Sequence, residues 1–235
     1  MAEQPGQSGI QDSPRKGVKL RIAICVPTRG MNYSGFTYDL GQLIGYSTMT
    51  LVNEGVADIG LVFGDNSYIH RNRNDLAQHV VEKGYTHALF LDDDMKFPKD
   101  TLLRLLKHRL PIVGVNYPTR RIPFTPTAIK RSGLNGEEPE RLGFTDEPLE
   151  EVDALGFGVV LIEASVFTSM PWPWFESYRE EDNWIGEDFD FCRKAKSVGY
   201  RVMVDQELSR EVAHIGTFEF GMNHTEVFAE DIDGA

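Results

Sequence analysis

The chain has 235 residues and a formal charge of −12 at pH 7, from 24 Lys and Arg against 36 Asp and Glu. Hydrophobic residues make up 41% of the chain, enough for a large core, which excludes an unfolded acidic protein. The acidic balance argues against sequence-independent binding to nucleic acid or to an anionic membrane, because both depend on dense Lys and Arg. Two cysteines, Cys25 and Cys192, are too few for a disulfide framework and indicate a reducing, cytoplasmic setting.

Composition divides the chain into three parts. Residues 1–18 are rich in Gln, Ser, Gly and Pro and predict a flexible leader. Residues 19–220 predict one α/β domain with two halves, 19–117 and 118–220, and residues 221–235 form an acidic tail. No segment approaches the roughly 20 consecutive apolar residues of a transmembrane helix, so we expect a soluble protein.

The N-terminal half alternates predicted strands and helices. Pro27 ends the first strand because proline has no N–H for the ladder. Ser67 is a candidate N-cap for one helix, and Gly84 closes that helix. Strands separated by helices of this length imply right-handed crossovers, a mostly parallel sheet with helices on both faces, and a Rossmann-like, nucleotide-binding architecture. The predicted strands are 20–26, 58–63, 86–91 and 111–115, and the predicted helices are 38–53, 67–82 and 98–108.

The pattern changes after Tyr117. Repeated prolines, a basic stretch over 119–131 and an acidic run over 137–153 predict a loop and hairpin insertion over the sheet edge. Regular structure then resumes, with a helix that Gly199 ends. The later predicted strands are 156–162, 200–204 and 211–215, and the later predicted helices are a short one ending at Met170 and one over 187–197.

Three carboxylates, Asp92, Asp93 and Asp94, follow the apolar strand 86–91. Ligands of open α/β sheets bind outside such strand ends. In extended backbone Asp92 and Asp94 would point to one side and Asp93 to the other, so the pair could converge on Mg²⁺ or Mn²⁺ held with phosphate oxygens. The alternative is a solvated acidic turn that caps the following helix.

A second group of candidate residues lies near the C-terminus. Glu187 and Asp188 stand at the beginning of a predicted helix, where one acid would suffice to complement the dipole. Next to Trp184, they could supply a general base beside an aromatic surface. His214 leaves an apolar strand and could complete a mixed N/O metal site if it faces Asp94; otherwise it is structural.

Taken in order, these motifs resemble the A-type (GT-A) glycosyltransferases, and more narrowly the small phage and bacterial family-2-like members. The resemblance covers roughly residues 20–216, and the order and spacing of the motifs carry it rather than any one alone. The matching segments are Val26-Pro27-Thr28-Arg29, Arg71-Asn72-Arg73-Asn74, the Leu-Asp-Asp-Asp-Met-Lys-Phe-Pro run with its DxD motif, Gly156-Phe157-Gly158, Gly186-Glu187-Asp188 and His214.

The resemblance implies a metal-dependent glycosyltransferase that uses a nucleotide sugar, with a UDP-sugar favoured and Mn²⁺ or Mg²⁺ as the cation. Residues 19–117 would bind the donor and residues 118–220 would supply the acceptor side and catalysis. Asp94 and His214, with Asp92, would hold the metal, and Asp188 or Glu187 would deprotonate the acceptor. Candidate donor contacts are Pro27, Thr28, Arg29, Arg73, Asn74, Asp92, Asp93, Gly158 and Trp184, Asp93 being at the variable middle position of the motif.

Several alternatives stay open. Arg71 and Arg73 could be a solvated helix face, and Gly156 and Gly158 a bulged strand. The basic loop over 119–131 could clamp the diphosphate, meet DNA with hydroxymethylated pyrimidines, or be an ordinary solvated loop. A saccharide is the other acceptor class. The rival functions are a sugar nucleotidyltransferase and a non-catalytic carbohydrate- or metal-binding module. No Gly-rich phosphate loop of the P-loop type is present, which disfavours an ATPase or kinase.

Overall fold

A computed structural model describes residues 19–121, 123–131, 139–180, 183–216 and 220–222. The predicted leader and the acidic tail after Met222 lie outside the described residues, as do Ile122 in the basic stretch and the beginning of the acidic run. Within the described ranges, no helix is long and apolar enough to cross a membrane.

Seven strands form the central sheet, in the order β2-β1-β3-β9-β5-β12-β8. Pairing shows that β1, β2, β3, β5 and β12 point the same way, whereas β9 and the edge strand β8 run antiparallel to their neighbours. The predicted mostly parallel sheet is confirmed. The strands are β1 (Leu20–Thr28), β2 (Ala57–Asp65), β3 (His87–Leu91), β4 (Met95–Lys96), β5 (Ile112–Gly114), β6 (Ile129–Arg131), β7 (Glu140–Arg141), β8 (Leu149–Val152), β9 (Val159–Glu163), β10 (Tyr178–Glu180), β11 (Asn183–Ile185), β12 (Val202–Asp205), β13 (Ala213–His214) and β14 (Phe220–Gly221).

Helices cover both faces of this sheet, as predicted. On one face the apolar sides of α1 and α3 pack on Ile22, Ile24 and Leu89, and on the other α2, α4 and α5 pack on Ala23, Cys25 and Phe90. Because successive side chains of β1 and β3 point to opposite faces of the sheet, each strand contributes to two apolar layers. The helices are α1 (Ser34–Ser47), α2 (Ile69–Glu82), α3 (Thr101–Lys107), α4 (Ala164–Ser169), α5 (Glu187–Ser197) and α6 (Gln206–Ser209), with a π-helical turn, Thr48–Val52, after α1.

Helix beginnings differ from the sequence prediction more than helix ends do. The predicted N-cap Ser67 is wrong: α2 begins after Tyr68, which makes no side-chain cap hydrogen bond. The helix predicted from Tyr38 begins four residues earlier, at Ser34, where its first turn includes Gly35 and buries Phe36. Gly84 and Gly199 end their helices as predicted, with φ of 67° and 94°, a left-handed conformation that favours glycine.

A cluster of phenylalanine rings fixes the element that carries the second acidic motif. Phe175 and Phe191 stack with centroids 4.8 Å apart and planes 14° from parallel. Phe157 meets Phe191 edge-on at 5.1 Å. Because these rings are fully buried, they hold the segment before β10 and the first turns of α5 against the sheet.

A small three-stranded sheet, β14-β13-β4, lies next to the acidic turn. In it β13 pairs antiparallel with β4, and His214 is the partner of Met95. The insertion after Tyr117 contributes the separate pair β6 and β7 and then the edge strand β8, in agreement with the predicted hairpin at the sheet edge.

Candidate active site

The three adjacent carboxylates diverge where β3 ends. The backbone turns after Leu91, and Met95 N–H donates to the Asp92 carbonyl at 3.2 Å. The expectation that Asp92 and Asp94 share one side of an extended strand is therefore wrong, because the chain is no longer extended there. Asp92 contacts Arg73, Asp94 contacts His214 and Arg120, and Asp93 interacts with Thr28.

Arg73 links the two acidic motifs. Its Nη2 donates to both carboxylate oxygens of Asp92 at 2.9 Å, and its Nη1 pairs with Oε1 of Glu187. The Arg73 side chain is only 3% exposed and also lies over the Phe157 ring, 5.4 Å from its centroid. A guanidinium suits this position because its fork geometry binds two carboxylates at once. Arg73 therefore lies inside the protein as an ion-pair centre rather than on a solvated helix face.

Burial and neighbouring charges shift the pKa of Asp92. Burial raises the pKa of Asp92 to about 6; Arg73 opposes that rise, and the charge of Asp94 adds to it. Its backbone N–H donates to the Gly158 carbonyl at 3.0 Å, which ties the acidic turn to the chain just before β9. The Asp92 carboxylate is therefore paired with Arg73, while 24% of its side chain is still exposed.

The two acids of the second motif have different environments. Glu187 uses both carboxylate oxygens inside the protein, one with Arg73 and the other accepting from Ser177 Oγ at 3.2 Å. Asp188 accepts the Phe189 N–H at 2.9 Å at the beginning of α5. Burial and then the charge of Glu187 raise the pKa of Asp188 to about 6. Asp188 is accordingly better placed than Glu187 to exchange a proton near neutral pH.

Asp94 and His214 face each other, which is the condition for a shared metal site. His214 Nε2 lies 3.3 Å from Asp94 Oδ2, and His214 Nδ1 lies 3.3 Å from the Pro118 carbonyl. Arg120 Nη2 reaches the same Asp94 oxygen at 2.9 Å. Burial alone would raise the pKa of Asp94, but the hydrogen bond from His214 and the charges of His214 and Arg120 lower it below its ordinary value.

The donor chemistry of this pair fits a divalent cation in part. The Pro118 carbonyl next to Nδ1 can orient the imidazole so that Nε2 faces Asp94. A carbonyl on the other ring nitrogen is the usual support of a metal-binding histidine. Within the described residues, however, no group of three or more His, Cys, Asp or Glu side chains is close enough to hold a metal. Asp94 and His214 would therefore need phosphate and water oxygens to complete a shell, as Mg²⁺ and Mn²⁺ accept.

The end of β1 lies beside the acidic turn. Thr28 is 8% exposed and its hydroxyl donates to Asn32 Oδ1 at 3.0 Å, while Arg29 is exposed and lies within electrostatic range of Asp93. Pro27 is buried and pairs in register with Gly64. Asn72, which the sequence analysis did not single out, donates to the Thr28 carbonyl at 3.1 Å and to the Gly64 carbonyl at 3.3 Å. It fixes the ends of β1 and β2 together.

Two candidate donor contacts have structural roles. The amide of Asn74 donates to the carbonyls of His70 and Phe175 and accepts the N–H groups of Trp174 and Phe175, so all its capacity is used within the protein. Gly158 is a close-packing position: a Cβ there would lie 2.7 Å from the Tyr117 ring and 2.8 Å from Met95 Sδ. Neither is free to contact a donor through a side chain.

Tyr117 joins both parts of the site, and sequence reasoning missed it. Its hydroxyl accepts the Gly158 N–H at 2.9 Å, and its ring meets His214 edge-on with centroids 5.4 Å apart. Burial, then the charges of Asp92 and Asp188, raise the pKa of Tyr117 well above its ordinary value. The only sequence signal was a hydroxyl-bearing residue at the end of an apolar strand. Trp184, by contrast, lies on β11 with 72% of its surface exposed, just before α5.

Comparison with known proteins adds information on the fold. No protein-family model and no curated protein matches the sequence. Among solved structures, A197 from STIV is 16% identical over 84% of this chain and 86% of its own, with a TM-score of 0.56. A mutant Drosophila beta-1,4-galactosyltransferase 7 with manganese, UDP-Gal and xylobiose is 17% identical, over 86% of this chain and 69% of its own, with a TM-score of 0.43.

A third solved structure, apo UDP-glucose pyrophosphorylase, is 7% identical over 91% of this chain and 82% of its own, with a TM-score of 0.42. The galactosyltransferase and the pyrophosphorylase superpose too loosely to support an argument. The likeness to A197 extends over most of both chains, and at 16% identity it shows a shared fold. The chain has the α/β fold of A197, with the candidate active site at the carboxyl ends of β1 and β3.

Proposed function

We propose that the protein is a metal-dependent glycosyltransferase that moves a sugar from a nucleotide sugar, with a UDP-sugar favoured, to an acceptor hydroxyl. The observation that carries the proposal is the arrangement around Tyr117. Its ring contacts His214, the partner of Asp94, and its hydroxyl lies within electrostatic range of Asp188, a carboxyl whose pKa is about 6. The Asp94–His214 pair suits a cation and Asp188 suits a base, near the carboxyl ends of the strands, where α/β proteins bind ligands.

The donor would bind across the ends of β1 and β3. Arg29 is exposed there and can contact the donor phosphates, while Thr28 and Asp93 lie beside it. Asp94 and His214 are the residues that would hold Mn²⁺ or Mg²⁺. A bound cation would stabilise the negative charge of a diphosphate leaving group without proton transfer.

Asp188 would act on the acceptor. Ionised Asp188 takes the proton from the acceptor hydroxyl as its oxygen bonds to the anomeric carbon of the donor sugar. The bond between that carbon and the diphosphate oxygen breaks, and its electron pair leaves with the nucleoside diphosphate. General-base assistance of this kind contributes typically ~10²–10⁴-fold to the rate. Arg73 does not touch the reacting atoms in this scheme, and it holds Glu187 and Asp92 on either side of the centre.

The roles separate in a binding and turnover experiment. Titration calorimetry with UDP and UDP-sugars should detect binding that needs Mn²⁺, and Asp94→Ala should abolish the metal-dependent part. Asp188→Asn should bind the donor as the parent does but lose transfer and donor hydrolysis. Absence of donor binding with and without metal would refute the proposal, and donor binding without turnover by any acceptor would identify a binding module instead.

The acceptor classes that the sequence left open are a saccharide and a hydroxymethylated pyrimidine of phage DNA. The basic loop bears on this choice. Arg120 is engaged with Asp94 and also donates to the Ile215 carbonyl at 3.0 Å. Lys130 lies 3.7 Å from Glu150 and Arg131 lies 3.9 Å from Glu140. Because acidic partners offset most of these cations, the loop offers little net positive charge to a nucleic acid.

A further inference from the structure

An open cavity of about 340 Å³ lies beside the candidate active site, between the beginning of α2 and the segment before β10. Its size falls in the range of ~300–1,000 Å³ that small-molecule sites occupy. Residues that line it include Asn66, His70, Arg71, Trp172, Glu176 and Ser177. Of the lining residues, Asn74 was a candidate donor contact and Arg71 lies in the same matching segment; the others were not among the sequence candidates.

A residue in the wall of the cavity contacts the acidic motif that contains the proposed base. Ser177, in its wall, donates to Glu187 Oε2 at 3.2 Å, and Glu187 precedes Asp188 in α5. On the α2 side, Arg73 enters the ion-pair network while the adjacent Asn74 faces the cavity. A sugar in the cavity would thus be one layer of side chains away from Asp188, so it could adjoin the reacting ring of an acceptor but could not itself present the reacting hydroxyl to Asp188.

An indole ring forms a prearranged platform in this wall. Trp172 is 56% exposed and meets Trp174 edge-on, with centroids 5.0 Å apart and planes at 82°. Trp174 itself is buried, its Nε1 donates to the Phe167 carbonyl at 2.8 Å, and its backbone N–H donates to Asn74. Because Trp174 is held in this way, the Trp172 ring has a fixed support and an open apolar face.

The polar groups around the ring favour a neutral, hydroxyl-rich ligand. The cavity is lined by the carboxylates Asp75 and Glu176 against the single guanidinium of Arg71. Glu176 is also paired with Lys194 at 2.6 Å. Among the described lining residues, Arg71 is the one Lys or Arg side chain, whereas phosphate binding depends on several, so the cavity is poorly suited to a phosphodiester chain. Carboxylate, amide, imidazole and hydroxyl groups can instead hydrogen-bond to sugar hydroxyls.

We infer that this cavity is a subsite for the acceptor and that the acceptor is a neutral saccharide of at least two rings. One ring packs on Trp172 and its hydroxyls meet Glu176, Asp75 and Ser177, while the neighbouring ring carries the reacting hydroxyl to Asp188. This inference rests on the proposed glycosyl transfer and specifies its acceptor. Arg71, which also lines the cavity, stacks on Tyr68, 5.3 Å from the ring centroid.

Calorimetry with the full chain tests the inference. The probes are UDP with Mn²⁺, a panel of neutral disaccharides (cellobiose, lactose, maltose and xylobiose), and a single-stranded oligonucleotide that carries hydroxymethylcytosine. At least one disaccharide should bind saturably. Trp172→Ala should weaken its binding by about tenfold or more, and Trp172→Phe by less, because a smaller aromatic face is retained.

Matched variants control for non-specific effects. Tyr38→Ala removes another exposed aromatic ring, 68% accessible on α1 and away from the cavity, and should leave disaccharide binding unchanged. Glu176→Gln should weaken it while keeping the shape of the wall. Circular dichroism and the thermal transition of each variant, compared with the parent, separate lost binding from lost folding.

The outcomes are distinguishable. Disaccharide binding that Trp172→Ala and Trp172→Phe leave intact would overturn the cavity assignment. Binding of the oligonucleotide and of no disaccharide would replace the saccharide with a nucleic acid acceptor. UDP–Mn²⁺ binding without any disaccharide binding would overturn this inference and leave the proposed transferase standing, whereas failure of UDP to bind would remove both.

Discussion

Removing the Arg73 guanidinium should destabilise the protein strongly. Arg73 is 3% exposed and is the shared partner of Asp92 and Glu187, whose side chains are 24% and 12% exposed. An Arg73→Met variant would keep much of the apolar stem but leave two largely buried carboxylates without a countercharge. Breaking a buried ion pair by removing one partner costs ~3–5 kcal/mol. Because both acids keep some contact with water, we expect a loss near the lower end, about 3 kcal/mol in the free energy of unfolding.

Urea denaturation at fixed pH measures this loss through the midpoint and slope of the transition. Arg73→Lys should lie between parent and Arg73→Met, because one ammonium cannot reproduce the contacts that two guanidinium nitrogens make with Asp92 and Glu187. Arg71→Met is the matched control: Arg71 is the exposed neighbour on the same helix, and its loss should change the free energy of unfolding by no more than about 0.5 kcal/mol.

A double-variant cycle tests the cause. If uncompensated charge is the reason for the loss, adding Glu187→Gln to Arg73→Met should recover part of it, with a coupling energy of about 1 kcal/mol or more. A loss below about 1 kcal/mol in Arg73→Met, or strict additivity with Glu187→Gln, would refute the account of Arg73 as the charge centre of the site.

Three further predictions concern other parts of the chain. Because protonated Asp188 cannot accept a proton, the transfer rate should fall as pH drops through about 6, and a flat rate–pH profile down to pH 5 would contradict this. Burial lowers the pKa of His87 from 6.5 to about 4, so the unfolded state binds the proton first. The stability of the parent relative to His87→Gln should therefore fall by up to about 3 kcal/mol between about pH 6.5 and pH 4 in urea titrations. Comparing the two proteins cancels the contributions of Asp92 and Asp188, whose raised pKa values act in the opposite direction. Gly64→Ala would press a Cβ against Asn72 Oδ1 and should cost about 1–3 kcal/mol, whereas Gly41→Ala, with no atom within 4 Å, should be neutral or stabilising in the same thermal-melt series.

The candidate site shows which residue properties a linear pattern can reveal. The apolar run before Asp92 predicted a buried strand, and a run of carboxylates after such a strand predicted their place at its carboxyl end. The position of Glu187 and Asp188 at the beginning of a helix was also readable, and α5 has the predicted bounds, Glu187–Ser197. The pattern did not show which of the two acids is engaged within the protein, because that depends on Arg73, 114 residues away in sequence, and on Ser177, 10 residues away beyond the β10–β11 pair.

Sequence by itself determined the class of the fold and the end of the strands at which the candidate active site lies, because both follow from short-range periodicity and from proline and glycine at element ends. Tertiary structure alone decided that β9 runs antiparallel between β3 and β5, and that β13 brings His214 to Asp94. It also placed Arg73 inside the protein and opened the cavity beside Trp172. Charges interact according to distance in space, and pairing between distant segments sets that distance, so no local pattern could specify these partners.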